Sequence, residues 1–146
     1  MKTTPHIRSA DVEERWFLFD ASQHVLGRMA ADIAHRLIEK DRPTYTPSEI
    51  GNTHVVVINA GGVRLSGKKK EAKEYQSYSG YPGGLRIIPI DTMQEVRPRD
   101  VIKLAVRRML PKNRLGKQML SRLKVYEGTD HPHDAQKPVK VEALRS

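Results

Sequence analysis

The sequence predicts an α/β sandwich built on a mainly parallel sheet. Short apolar runs of strand length alternate along the chain with amphipathic helical stretches, the order that builds parallel sheets through helical crossovers. With 146 residues, 38% of them hydrophobic, the chain suits one domain around one core. A mean hydropathy of −0.60 makes that core modest. There is no cysteine, which removes a disulfide framework, a thiolate nucleophile and a zinc ribbon, and agrees with a reducing compartment.

Residues 1–14 are polar and mixed in charge and read as an N-terminal extension, without the apolar run of a cleaved signal peptide. Trp16-Phe17-Leu18-Phe19, ended by Asp20, has the length of a buried strand. Leu26, Met29, Ala30, Ile33, Ala34 and Leu37 then recur at spacings of three and four. Arg28, Asp32, His35, Arg36 and Glu39 point elsewhere, so this is an amphipathic helix. Pro43 and Pro47 mark a loop over 42–52. Val55-Val56-Val57-Ile58 reads as a second strand covered on both faces, and it is far too short to span a bilayer.

Gly61-Gly62 turns the chain, and Val63 with Leu65 suggests another short strand. The stretch 66–75 is polar and basic, with the character of a helix start, and 78–84 is turn-rich by composition. Residues 85–90 suit a strand that Pro89 confines to an edge or an end. Pro98 opens the clearest helix, closed by Pro111. Its apolar stripe is Val101, Ile102, Ala105, Val106 and Met109, while Arg99, Lys103 and Arg107 recur every fourth residue on the opposite side. Arg108 falls near the stripe and must snorkel. A second basic stretch runs to Tyr126, and Gly, Pro and His then predict an extended tail over 127–146. Residues 15–126 are left as the folded domain.

Charge points to a partner. The segment 97–126 holds ten Lys or Arg (Arg97, Arg99, Lys103, Arg107, Arg108, Lys112, Arg114, Lys117, Arg122, Lys124) and one acid, Asp100, so it carries the whole formal charge of +9. The rest of the chain has sixteen residues of each sign and balances to zero. A ladder of like charges at spacing four weakens a helix. Sustained without intervening acids, it implies compensation by an external polyanion that releases counterions as it binds. No zinc finger, leucine zipper or recognition-helix pair directs the reading to DNA.

Four patterns imitate other chemistry. Residues 62–69 spell Gly, four residues, Gly67-Lys68 after a strand-like run, as a phosphate-binding loop does. Lys69 stands where the magnesium-binding Ser or Thr belongs, and Val63 and Leu65 make the loop interior strand-like, so Lys68-Lys69-Lys70 reads as a basic turn. His131-Pro132-His133-Asp134 resembles a metal cluster, but alternate residues of an extended segment point apart and no further ligand follows. Asp20, Ser22 and His24 are too local for a hydrolase triad, and no nucleophile elbow occurs. Tyr75, Tyr78 and Tyr81, in basic and glycine-rich surroundings, suit either stacking on unpaired bases or covering a core edge. Gly80, Gly83 and Gly84 suit either a tight turn or the close approach of an RNA backbone.

The motifs MLPKNRLG at 109–116 and SGYPGGL at 79–85 resemble the L-thirteen family of large-subunit ribosomal proteins in its bacterial form. The resemblance extends through LGRMA at 26–30, YTP at 45–47, VVVINA at 55–60, SGKK at 66–69, LKVY at 123–126 and HPH at 131–133. Each fragment is weak alone, and their shared order is highly specific. Relatives usually carry His then Asp in the loop after Tyr-Thr-Pro, where this chain has Ser48 and Asn52; many carry His where it has Tyr78.

The resemblance implies a three-layer α/β/α sandwich with a four-stranded, largely parallel sheet and extended basic loops and termini. It implies a cytoplasmic component of the large ribosomal subunit that binds its RNA, supports early assembly and touches neighbouring ribosomal proteins. No catalytic site, cofactor, metal, membrane or small-molecule substrate is expected. The expected RNA contacts are the ten cations of 97–126 with Asn113, then Lys68, Lys69, Lys70 and Lys73, the loop residues Tyr75, Tyr78, Gly80 and Tyr81, and Arg28. The competing readings are a nucleotide-dependent enzyme built on 62–69 and a free-standing RNA-binding regulator.

Overall fold

Phe17 and Phe19 on one side of the first strand, and Trp16 and Leu18 on the other, set up a sheet with two covered faces. The computed structural model describes residues 6–142; the outer parts of the expected extension and tail, 1–5 and 143–146, lie outside the described residues. Strand β1 (Arg15–Asp20) leads through helix α1 (Leu26–Ile38) to β2 (Thr53–Ile58), which pairs with it in parallel from Arg15 opposite Thr53 to Asp20 opposite Ile58. A short helix α2 (Lys69–Ala72) precedes β3 (Glu74–Tyr78) and β4 (Leu85–Pro89). Helices α3 (Ile90–Val96), α4 (Pro98–Met109) and α5 (Arg114–Ser121) follow, then β5 (Leu123–Val125) and β6 (Val139–Lys140).

The main sheet has the order β5-β2-β1-β6, and every pair in it is parallel. The α/β sandwich expected from the alternation of runs is therefore present. Its principal core joins Phe19, Val55, Val57, Leu123 and Val125 from the sheet to Met29, Ile33 and Leu37 of α1 and to Val101, Ile102 and Val106 of α4. The opposite face carries Trp16, Leu18, His54 and the fully buried Val56. The returning chain covers it: the Trp16 ring stacks on His54 at 4.4 Å and meets His133 at 5.1 Å, and the Tyr126 hydroxyl lies 2.9 Å from His133 Nε2. The segment beyond Glu127 thus lies on this face and supplies β6, where Val139 and Lys140 pair with Phe17 and Leu18.

Several elements differ from the sequence reading for local reasons. Val63 and Leu65 form no strand. A 3₁₀ turn at Ala60–Gly62 drops Val63 into the core, and Arg64 makes a single bridge to Val25. The basic stretch after 66 is helical for four residues only before β3 begins. β3 and β4 form an antiparallel hairpin with Tyr75 opposite Ile88 and Tyr78 opposite Leu85, and the turn-rich 79–84 is its connection. Gly80 and Gly83 hold φ of 90° and 73° there, a conformation that side chains disfavour. In α4 the stripe holds at Val101, Ile102 and Val106, but Met109 is exposed because Leu110, just past the helix, takes the core position. Asn52 ties down the N-terminal segment by donating from Nδ2 to the carbonyls of Ser9 and Val12.

Candidate nucleic-acid interface

Helix α4 is anchored by its apolar stripe, so Lys103 and Arg107 project from the exposed side, as the spacing predicts. Arg97 forms the exposed junction between α3 and α4. Arg99 is engaged: its Nε lies 2.9 Å from Glu127 Oε1, with both side chains about half exposed. Such a surface pair contributes little to stability and is readily exchanged for a phosphate. Arg108 is exposed at its tip and sits 5.9 Å from the centre of the Tyr75 ring.

Pro111 ends α4, and Asn113 starts α5 by accepting the Gly116 N–H at 2.8 Å on its side-chain oxygen. Asn113 is thus occupied as a helix cap. Lys112, Arg114 and Lys117 are exposed around this turn. The last two cations of the segment lie elsewhere. Lys124 is in register with Val56, and Arg122 precedes it beside His54, so both belong to the sheet face opposite the helices. The segment 97–126 therefore wraps from one side of the molecule to the other.

Of its ten cations only Arg99 makes an ion pair among the described residues. The neutral body behaves differently. Arg15 pairs with Asp41 at 3.0 Å, and Arg36 pairs with Asp32 at 3.2 Å while lying over the Phe17 ring. Burial alone would raise the Asp41 carboxyl, but the hydrogen bonds and charge of Arg15 outweigh it and hold the group below its ordinary 3.8. Internal neutralisation is thus used in the body and withheld from most of the basic segment.

Lys68, Lys69 and Lys70 are exposed at the start of α2, and Lys73 reaches over Tyr75 with its Nζ 5.3 Å from the ring centre. The imitation of a phosphate loop fails in its backbone. The Gly62 N–H is donated to Asn59 and the Arg64 N–H to His24, so these amides cannot cradle a phosphate. Tyr75 is buried in the core, where burial raises its hydroxyl pKa and Arg108 opposes the rise. Its ring carries two cations, Lys73 and Arg108. Tyr78 and Tyr81 are 65% and 75% exposed at the far end of the hairpin, with Gly80 between them. Arg28 lies exposed on the first turn of α1, apart from these groups in the chain.

The sequence reading omitted Arg86. Its place opposite Ser77 puts it on the same hairpin face as Tyr75 and Ile88, which borders α4. The available signal was the strand-like run 85–90, in which Arg86 is the one charged residue. His131 and His133 also depart from expectation. Their rings lie 6.4 Å apart and nearly parallel, because the His133 N–H bonds back to His131 Nδ1 and turns the chain. Both therefore join the cluster around Trp16 and Tyr126. Among the described residues no group of three His, Asp or Glu is placed to hold a metal ion, and no helix is long and apolar enough to cross a membrane.

Comparison with known proteins accounts for nearly the whole chain. The family model described as Ribosomal protein L13 matches residues 14–132. The protein named Large ribosomal subunit protein uL13 from Caldanaerobacter subterraneus subsp. tengcongensis is 52% identical over 135 residues, covering 92% of this chain and 94% of the relative. Its namesake from Thermotoga maritima is 49% identical over 142 residues, covering 97% and 95%, and that from Aquifex aeolicus is 49% identical over 139 residues, covering 95% and 96%. A family model that matches most of the chain, and relatives that align almost from end to end, lead to one assignment: this chain belongs to the ribosomal protein L13 family.

Proposed function

We propose that the protein is a cytoplasmic structural constituent of the large ribosomal subunit that binds large-subunit (23S-type) ribosomal RNA and supports early assembly beside neighbouring ribosomal proteins. The observation that carries this reading is the row of unpaired cations on the outer face of α4, continued by Lys112, Arg114 and Lys117. Lys and Arg there contact phosphates and fix position, while the hairpin end with Tyr78, Gly80 and Tyr81 reads the shape of the RNA. The domain 15–126 supplies these contacts, and Arg122 and Lys124 offer a second contact region on the opposite sheet face. Catalysis has no part in this role: the work is electrostatic, and folded RNA supplies the missing counter-charge.

Salt-washed large subunits are the test. The protein should remain with them, and the free protein's affinity for large-subunit RNA should fall on the order of a thousandfold between about 50 and 200 mM salt for six or more contacts. Recovery only in the ribosome-free fraction would favour a free regulator, and salt-independent binding would remove the electrostatic basis.

A further inference from the structure

Beside the cation row lies a groove of about 720 Å³ between the inner face of the β3–β4 hairpin and α3–α4. That is within the roughly 300–1,000 Å³ typical of small-molecule clefts. Its floor is apolar: Ile88, Met93, Leu104 and Leu120 are half-buried, and Val96 is 69% exposed. Its rim is basic, with Arg86 from the hairpin and Arg97, Lys103, Arg107 and Arg108 from the helices. The two chemistries demand different things of an occupant.

We propose that this groove receives an unpaired nucleobase of the bound RNA, so that the surface grips a looped or single-stranded segment and not duplex backbone alone. The inference rests on the RNA-binding reading above and assigns the kind of RNA. Phosphates satisfy the rim but gain nothing from an apolar floor. A duplex keeps its base faces stacked inside the helix and presents ribose and phosphate. A splayed base covers apolar side chains with its ring face and leaves its flanking phosphates at the rim, the arrangement by which single strands are held. An apolar protein segment would fill the floor and leave five rim cations uncompensated.

Asp100 adds a second argument. It is the single acid of the basic segment and lines the groove, and its carboxylate makes no hydrogen bond or ion pair with the described residues. A carboxylate there repels phosphate. It accepts hydrogen bonds from the N–H groups of a base edge, the pairing that carboxylates make with amino-bearing bases.

The test uses the full chain and two probes, a short single-stranded oligoribonucleotide carrying one 2-aminopurine and the duplex of the same strand. Val96→Ser removes part of the floor at an exposed position, and a thermal melt confirms its fold. It should weaken single-strand binding by about three- to tenfold, suppress the change in 2-aminopurine emission on binding, and leave duplex affinity unchanged. Wild-type emission and affinity in Val96→Ser would overturn the proposal while the phosphate-clamp reading stood. Failure of wild type to bind either probe would overturn both. A benzophenone side chain in place of Val96, photoactivated in assembled large subunits, separates occupants: a cross-link to an unpaired nucleotide supports the proposal, and one to a protein overturns it.

Discussion

Replacing Lys103 and Arg107 together by glutamine tests whether α4 divides folding from binding as its two faces imply. Both side chains are exposed and neither is ion-paired among the described residues, so the core is untouched. They stand four residues apart with like charge, and removing the repulsion stabilises the helix by a few tenths of a kcal/mol, about 0.2–0.5. If each contacts one phosphate, the slope of log K against log salt becomes shallower by roughly 1.4–1.8. Ile102→Ala acts on the other face. Ile102 is fully buried against α1 and the sheet, and its truncation costs about 2–5 kcal/mol. At this length that lowers the midpoint by roughly 6–15 °C. Thermal melts of the free protein and RNA titrations across a salt series measure the two effects. The glutamine pair should melt at or slightly above wild type with weaker, less salt-dependent binding. Ile102→Ala, below its melting point, should bind almost normally. A glutamine pair that unfolds and keeps its RNA affinity would refute the assignment of the faces.

Gly116→Ala should destabilise the protein although alanine is the better helix former by about 1 kcal/mol. A Cβ at Gly116 would lie 1.9 Å from the Pro111 carbonyl oxygen, and displacing that backbone costs about 1–3 kcal/mol, so a rise in melting temperature would contradict the packing of the α4–α5 turn. Acid should loosen the second sheet face. Burial, then the charge of Arg122, lowers the pKa of His54, and burial, then His131, lowers that of His133, with Lys124 also facing both and Glu14 alone opposing at His54. The unfolded chain therefore binds these protons first. The stability is whole above the ordinary value of 6.5 and is lost as pH falls from there through the lower folded values. Trp16, the single tryptophan, stacks on His54 and should report this by fluorescence with a midpoint below 6.5; a midpoint at or above 6.5 would contradict the burial of the cluster.

Where a sequence pattern had a period and enough length, it specified the structure. The helix at 26–38, the strand at 55–58 and the helix after Pro98 are each written in side chains that face one core. The failures are short or conditional elements. β5 and β6 are three and two residues long, stabilised by pairing with β2 and β1 and not by their own composition. A sequence window over Leu123-Lys124-Val125 is dominated by its basic neighbours. Of the hairpin, the turn and the strand after it were legible, while β3 was hidden because Tyr75 and Ser77 on its inward side mix apolar and polar types: they line a groove and not a dry core. Charge and spacing put Lys103 and Arg107 on the outer face of α4, and both are exposed there. These signals could not tell that Tyr75 packs inside, that Asn113 caps a helix, or that Arg122 and Lys124 emerge on the far face.

The division of charge explains why so basic a segment can be carried without unfolding the domain. The two helices of the basic segment are each fixed by an inward apolar face: Val101, Ile102 and Val106 for α4, Met119 with Leu115 and Leu120 for α5. The arginine ion pairs of the body, Arg15 with Asp41 and Arg36 with Asp32, sit at β1 and α1, where cations are partly buried and need a counter-charge. On α4 the cations face water, so leaving most of them unpaired costs only modest, salt-screened repulsion. A bound polyanion would remove that repulsion, and among the described residues the one pair of the basic segment to be broken first is that of Arg99 with Glu127. The hairpin is held differently, through Tyr75 beneath Arg108 and through Ile90 at the start of α3, with Tyr78, Leu85 and Ile87 left exposed. The firmly packed helix with its charges and the lightly anchored hairpin border one groove, and under the proposed role RNA would meet both there.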